Sequence, residues 1–266
     1  MNPVPRLDEI VARVRADAAA RQRTADVASL EQRARAGAAQ RRPLRRALER
    51  APFTVIAELK RTSPSAKELR RELDPAELAR AYEAAGAAAL SVVTCGPWFC
   101  GSLADLTAAR AAVALPILCK DFLVTPFQIV EAAAAGADAV LLIAAALDDA
   151  GLLALGLVAH ELGLAVLHEA HDAGEVARLL DAGADVVGVN SRDLATMAVD
   201  PAGALALGPR LPCEVCGVFE SGVKRGDDLR AAARAGYRAA LVGETLLRAA
   251  DPGARLRELL RDGGVA

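Results

Sequence analysis

A closed (β/α)8 barrel with an N-terminal helical extension is the fold to which this 266-residue chain points. Three features carry that expectation. Eight short apolar runs follow residue 52, their starts 21 to 35 residues apart. Longer Ala-rich amphipathic segments lie between them. Ionisable side chains gather where the runs end, not where they begin. Near-continuous apolar strands alternating with helices imply a parallel sheet covered by helices, and eight such units in roughly 215 residues suit a closed barrel. An open doubly wound sheet is the competing arrangement, but no G-x-G-x-x-G follows the first run.

Residues 1–50 are expected to form the extension and 51–266 the barrel, together one domain. Residues 6–50 read as helix, with Leu7, Ile10, Val11 and Val14 on one face and Arg, Asp and Glu elsewhere. The composition changes at Pro52. The first run, FTVIAELK (53–60), ends on Glu58 and Lys60, and Ser-Pro-Ser (63–65) follows. The helical pattern PAELARAYEAAG (75–86) leads to AALSVVT (88–94), which ends on Thr94. SLADLTAARAAV (102–113) precedes PILCKDF (116–122), with Lys120 and Asp121. PFQIVEAAAAG (126–136) precedes DAVLLIAAAL (138–147), which offers nothing ionisable at its end. AVLHEAH (165–171) presents Glu169, and AGEVARLLDAG (173–183) then leads to VVGVNSR (186–192), with Asn190 and Arg192. CEVCGVFES (213–221) ends on Glu220 and Ser221, and AALVGE (239–244) on Gly243 and Glu244. Gly86, Gly136, Gly183 and Gly236 stand where helices should end.

The bulk properties exclude several classes. A net charge of −2 gives no reason to expect nucleic acid or an anionic membrane surface. Arg-rich RRPLRR (41–46) lacks interleaved aromatics and has acidic flanks, so it reads as a solvated stretch linking helices. There is no apolar leader after Met1, and the longest greasy region, 139–168, is cut by Asp148, Asp149, His160 and Glu161. A soluble, cytoplasmic protein is expected. Five cysteines, an odd number, suit reduced thiols. Cys213 and Cys216 have the C-x-x-C spacing, but no second pair completes a zinc site, and both read as small buried side chains in a β-rich run. His168 and His171 are three apart on a strand and should face opposite sides, which argues against a shared metal.

The polar strand ends carry the functional reading. Glu58 and Lys60, two apart on a strand, point the same way, and a barrel places them at its C-terminal mouth with Lys120, Glu169 and Glu220. Two lysines and three glutamates packed together balance one another's charge as an active site requires. Ser63 after the first strand, Ser221-Gly222 after the seventh and Gly243-Glu244 after the eighth offer hydroxyls and exposed amides for a phosphate. Loops seven and eight recur as phosphate sites in this architecture.

AELKRTSPS, YEAAGAAALSVVT, WFCGSL, CKDF, GADAVLLIAAAL, HEAHD, GVNSRDL, ESGV and LVGETLLR resemble, in order and spacing, the indole-3-glycerol phosphate synthase family of tryptophan biosynthesis. The resemblance runs from about residue 53 to 260 and extends more loosely over the helical extension. It implies closure of 1-(2-carboxyphenylamino)-1-deoxyribulose 5-phosphate to indole-3-glycerol phosphate, with loss of CO2 and water and without cofactor or metal. Carried across motif by motif, it implies Lys120 as general acid at the C2′ carbonyl, its pKa tuned toward neutrality by burial. Lys60 would hold the substrate carboxylate, with its share of proton transfer left open. Glu169 would be the acid/base of dehydration, and Glu58 would set the charge state of the lysines. Asn190 and Ser221 would orient the sugar hydroxyls and Glu169, with Glu220 at the site's border. Arg192, Ser63, Gly222, Gly243 and Glu244, the last two by their backbone, would grip the phosphate. Pro64, Phe99, Phe122, Leu141 and Leu194 would form the slot for the aromatic ring. Cys95, Cys100 and Cys119 depart from the family's usual residues in loops near the site. The implied partner is a small phosphosugar, and the implied state a monomer or weak homodimer. Phosphoribosylanthranilate isomerase, another phosphosugar barrel, fits less well, because it looks to a Cys near the end of strand one where this chain has Glu58 and Lys60. A non-catalytic relative would be expected to have lost Lys120 or Glu169.

Overall fold

The computed structural model describes residues 6–63, 67–70, 72–194 and 196–265. Eight parallel strands close into a barrel: β1 (Thr54–Leu59), β4 (Ala89–Val93), β5 (Ile117–Lys120), β6 (Ala139–Ile143), β7 (Ala165–Ala170), β8 (Val186–Asn190), β9 (Cys216–Glu220) and β10 (Ala239–Val242). Strands β2 (Thr62–Ser63) and β3 (Lys67–Glu68) form a small antiparallel pair just above β1. Each strand neighbours the next in sequence, and β1 closes the ring against β10 in the register Thr54↔Ala239 to Ala57↔Val242.

The period-two alternation of each strand sorts its residues between two cores. Ile56, Leu118, Leu141, Leu167, Val218 and Leu241 point inward and fill the barrel. Val55, Ala57, Leu59, Val140, Leu142 and Val187 point outward, against Leu78 and Tyr82 of α4 (Pro75–Ala84), Leu106 of α6 (Leu103–Ala112) and the other helices of the outer layer. Near the mouth the inward positions change character and become Glu58, Lys120, Glu169, Asn190 and Glu220. The alternation that packs the barrel therefore also aims these side chains at one another.

The extension is not one helix. It comprises α1 (Leu7–Thr24), α2 (Val27–Ala36) and the short α3 (Leu44–Leu48). The first break falls at Asp26, whose side chain accepts from the Ser29 amide at 3.0 Å and caps α2. Gly37 and Pro43 bracket the second. Ile10 and Val14 of α1 are buried, with Leu7 and Val11 beside them, so the apolar face is as expected. Helix α3 plugs the opposite end, where fully buried Leu44 and Leu48 meet Ala89, Val186 and Cys216. Burial of two leucines contributes roughly 3–6 kcal/mol.

The RRPLRR stretch is not simply solvated, contrary to its composition. Arg41 donates to the carbonyls of Ala34, Ala133 and Ala137 at 2.7–3.1 Å, and Arg42 to that of Leu115 at 2.6 Å. Arg41 thereby ties the C-terminal turn of α2 to that of α7 (Pro126–Ala134), and Arg42 reaches the loop before β5. The buried Asp138 completes the tie by accepting from the Arg42 amide, the Ile117 amide and the Arg110 guanidinium at 2.8–2.9 Å.

Two other boundaries differ from the sequence reading. The run DAVLLIAAAL leaves the sheet after Ile143 and turns through Ala144–Ala146, because Asp148 caps α8 (Asp149–Glu161). The seventh run enters the sheet only at Cys216, and Cys213 lies exposed in the preceding turn. The cysteine pair is thus half buried and half exposed. All five cysteines are free, and burial pushes the thiols of Cys119 and Cys216 up to about 12, which leaves them inert. Gly86, Gly136, Gly183 and Gly236 do end helices, each with positive φ.

His168 projects outward from β7 into the helix layer, where its Nδ1 has no partner among the described residues. Burial lowers its pKa from 6.5 to about 4. The unfolded chain takes up this proton near pH 6.5 and the folded one only near 4, so folding loses stability as the pH falls between them. The loss should total about 3 kcal/mol. In urea titrations, His168→Leu should lose less stability than the parent between pH 7 and about 4. Equal losses would show that His168 is not the group responsible.

Candidate active site

The strand ends and the loops beyond them enclose a cavity of about 1050 Å³ at the C-terminal mouth. Every sequence-expected site residue that the structure describes lines it; Pro64 lies outside the described residues. The floor is a charge cluster. Lys120 Nζ lies 2.9 Å from Glu169 Oε2 and 2.7 Å from Glu220 Oε2, and Lys60 Nζ lies 2.6 Å from Glu58 Oε1.

The electrostatics of Lys120 run opposite to the sequence expectation of a lysine tuned toward neutrality. Burial disfavours its charge, but Glu169, Glu220 and Glu58 outweigh burial and hold the ammonium protonated, above the usual lysine range. Two buried carboxylates facing one cation cannot both be charged cheaply, and they separate. Burial raises Glu220, the charge of Glu169 raises it further, and Lys120 only partly offsets this. Burial would raise Glu169 too, but Lys120 and His171 prevail and keep it below the usual carboxylate range. These directions keep Lys120 an ammonium and favour the ionised form of Glu169 over that of Glu220, and the cluster titrates as a unit.

Two glycines make this crowding possible. A Cβ at Gly188 would stand 2.0 Å from Glu220 Oε1, and one at Gly243 would stand 2.4 Å from Glu58 Oε1. Neither packing role was visible in the sequence, where Gly188 is one residue in an apolar run.

Asn190 braces the cluster from β8. Its Nδ2 donates to Glu169 Oε1 at 3.2 Å, and its Oδ1 accepts from Ser221 Oγ at 2.8 Å and the Arg192 amide at 3.0 Å. Ser221 reaches this position through a left-handed backbone, φ 64°, followed by Gly222 at φ 82°. A non-glycine residue there stores roughly 1–2 kcal/mol of strain. The turn bends the chain after β9 so that the Ser221 hydroxyl meets Asn190 at the mouth.

One polar neighbour escaped the sequence reading. His171 lies just past β7, its Nδ1 3.0 Å from Glu175 Oε2 and its Nε2 3.5 Å from Glu169 Oε1. His168 and His171 do face opposite sides, as period two requires, but His171 faces the charge cluster. Among the described residues, no group of three or more His, Cys, Asp or Glu is placed to hold a metal ion.

The two flanks of the cavity differ. On one, Phe99 and Phe122 stand with ring centroids 6.4 Å apart, with Leu141 and Leu194 nearby, and Leu7 and Ile10 of α1 also border the cavity. The sequence marked Leu7 and Ile10 as an apolar face but gave no sign of what they cover. On the other flank lie Arg192, Ser63, Gly222 and Gly243, with Lys224 and Arg248 added by the structure. Arg192 is held by the Met197 carbonyl at 3.2 Å and stands 3.7 Å from Glu244, which also pairs with Arg248 at 2.9 Å.

The family model for indole-3-glycerol phosphate synthase matches residues 7–259. A relative of that name from Nocardioides sp. is 49% identical over 95% of this chain and 97% of its own length. Another of the same name, from Mycobacterium avium, is 48% identical over 99% of this chain and 96% of its own. Among solved structures, 3-hexulose-6-phosphate synthase from Salmonella typhimurium superposes with a TM-score of 0.62 at 17% identity, covering 78% of this chain and 97% of that one. At that identity the likeness shows the barrel alone.

Proposed function

The chain belongs to the indole-3-glycerol phosphate synthase family and is a carbon–carbon lyase that closes 1-(2-carboxyphenylamino)-1-deoxyribulose 5-phosphate to indole-3-glycerol phosphate, and from that premise we propose how its cavity divides the work. The aromatic ring sits between Phe99, Phe122, Leu141 and Leu194. The phosphate sits on Arg192, Ser63 and the backbone at Gly222, Gly243 and Glu244. This seating stretches the substrate across the floor of the cavity, with the C2′ carbonyl over Lys120.

Lys120 then donates to the carbonyl oxygen as the ring carbon attacks. With carboxylates holding it charged at all working pH, it serves as a permanent cationic donor at the developing alkoxide. Lys60, steadied by Glu58, holds the substrate carboxylate until CO2 leaves. Glu169 takes the proton lost in dehydration and helps expel hydroxide as water, with Asn190 and Ser221 fixing its orientation. Glu220 holds the spare proton that lets Glu169 stay ionised. The observation that carries this reading is Lys120 between two buried glutamates, with an apolar slot on one side and a cationic loop cluster on the other. A cytoplasmic enzyme without cofactor, acting as a monomer or weak homodimer, belongs to the same proposal.

The test is turnover of the carboxyphenylamino-deoxyribulose phosphate, followed by the fluorescence of the indole product. Arg192→Ala should raise KM roughly 10- to 100-fold with a smaller change in kcat, as expected for a lost charge-assisted bond of about 1.5–3 kcal/mol. Inorganic phosphate should inhibit the parent competitively and the variant far less. An unchanged KM would remove Arg192 from the phosphate grip.

A further inference from the structure

We propose that His171, clamped by Glu175, is a positioning residue that keeps Glu169 ionised and turned toward the reacting atoms. The proposal rests on the reading of Glu169 as the base of dehydration. Neither His171 nor Glu175 borders the substrate cavity, so both act through Glu169.

The geometry is a three-group line from the protein surface to the floor of the site. Glu175 of α9 (Ala173–Asp181) is partly exposed, at 18% of its side chain, and one of its oxygens does two things. Oε2 accepts from the His171 amide at 2.7 Å and pairs with His171 Nδ1 at 3.0 Å, which fixes both the turn after β7 and the ring within it. That leaves Nε2 3.5 Å from Glu169 Oε1, the same oxygen that takes the Asn190 amide at 3.2 Å. The other oxygen of Glu169 meets Lys120. His171 thus sets a charged neighbour beside the oxygen that Asn190 holds, while Lys120 holds the other.

The groups facing His171 are Glu169 from β7 and Glu175 from α9; behind Glu169 stand Lys120 from β5 and Glu220 from β9. Without His171, Glu169 would keep only Lys120 and the Asn190 amide to hold its charge, and the proton it shares with Glu220 would rest on Glu169 more often. A protonated Glu169 is no base. The second cation shifts the proton toward Glu220. Burial opposes the charge on His171, but the ion pairs with Glu169 at 3.5 Å and Glu175 at 3.0 Å prevail and raise it from 6.5 to about 10. The imidazolium therefore persists across neutral pH.

Glu175→Gln keeps an acceptor for the His171 amide and ring but removes the charge that holds the imidazolium. Its kcat should match the parent's near pH 6 and then fall about 3- to 10-fold between about pH 7 and 9, as His171 deprotonates early, with KM little changed. Release of the proton held with Glu220, raised to about 8, is common to parent and variant, so the fall is read as the ratio of the two profiles. His171→Asn should lose about 10-fold in kcat without the pH-dependent fall. A purely structural role would lower kcat by one factor at every pH. Superimposable profiles for Glu175→Gln and the parent, or His171→Asn within twofold of the parent, would overturn the proposal. Glu169→Gln is the control. If it retains the parent's kcat, the reading of Glu169 fails and this inference with it. If it is crippled while the other two variants behave as the parent, only the inference fails.

Discussion

Lys120→Met should yield a folded barrel that closes the ring ~10²–10⁴-fold more slowly than the parent. Methionine keeps the length and much of the volume of lysine but donates nothing to the carbonyl oxygen. The loss should appear in kcat, because the residues proposed to seat the aromatic ring and the phosphate do not include Lys120. Removal of the cation also leaves buried Glu169 and Glu220 facing each other, and they should respond by binding one proton between them. That uptake spares the fold the full cost of an orphaned buried charge, which is about 3–5 kcal/mol when nothing relieves it. Circular dichroism should match the parent while the product fluorescence disappears. Turnover within threefold of the parent would mean that the carbonyl is polarised by another group, with Lys60 the first to consider.

The barrel was legible because its signal is local. An inward-facing strand residue announces itself by alternation, and a parallel strand by apolar side chains on both faces, so TVIAEL and AVLLI declare themselves without knowledge of their neighbours. The mouth was legible for the same reason: Glu58, Lys120, Glu169 and Glu220 break the apolar pattern where strands end. What alternation cannot say is which strand end faces which across the barrel. The ammonium of Lys120 meets two glutamates 49 and 100 residues away, and that number of neighbours reverses the expected direction of its pKa.

The arginines of the extension were misread for a related reason. A guanidinium beside a proline looks solvated until the carbonyls of Ala133 and Ala137 are placed within its reach. Composition records the donor but not the acceptors. Gly188 and Gly243 were invisible as packing devices because the carboxylates that need their missing side chains lie on other strands. His171 was set aside because a strand histidine with one distant partner resembles a failed metal site. Only its position between Glu169 and Glu175 shows what it touches.

Glu169→Gln should divide the reaction in two. Glutamine has the shape of glutamate and still hydrogen-bonds, but it neither takes nor gives a proton at neutral pH. Its amide oxygen can accept from Asn190 or from Lys120 but not both, since the NH2 on the other side would set donor against donor. With Glu169 neutral, burial still raises Glu220 but the added repulsion from Glu169 is gone, and Lys120 should draw Glu220 toward its ionised form. The ammonium therefore keeps a carboxylate partner and stays charged. Condensation, which asks for a cationic donor at the carbonyl, should proceed. Dehydration should slow by ~10²–10⁴-fold, because a proton must leave carbon and the departing hydroxyl must receive one. Rapid-quench single turnovers should then accumulate a decarboxylated, still hydroxylated intermediate, with CO2 released well before indole fluorescence rises. If CO2 and indole instead appear together at one slowed rate, Glu169 acts at or before ring closure, and the separation of its work from that of Lys120 does not hold.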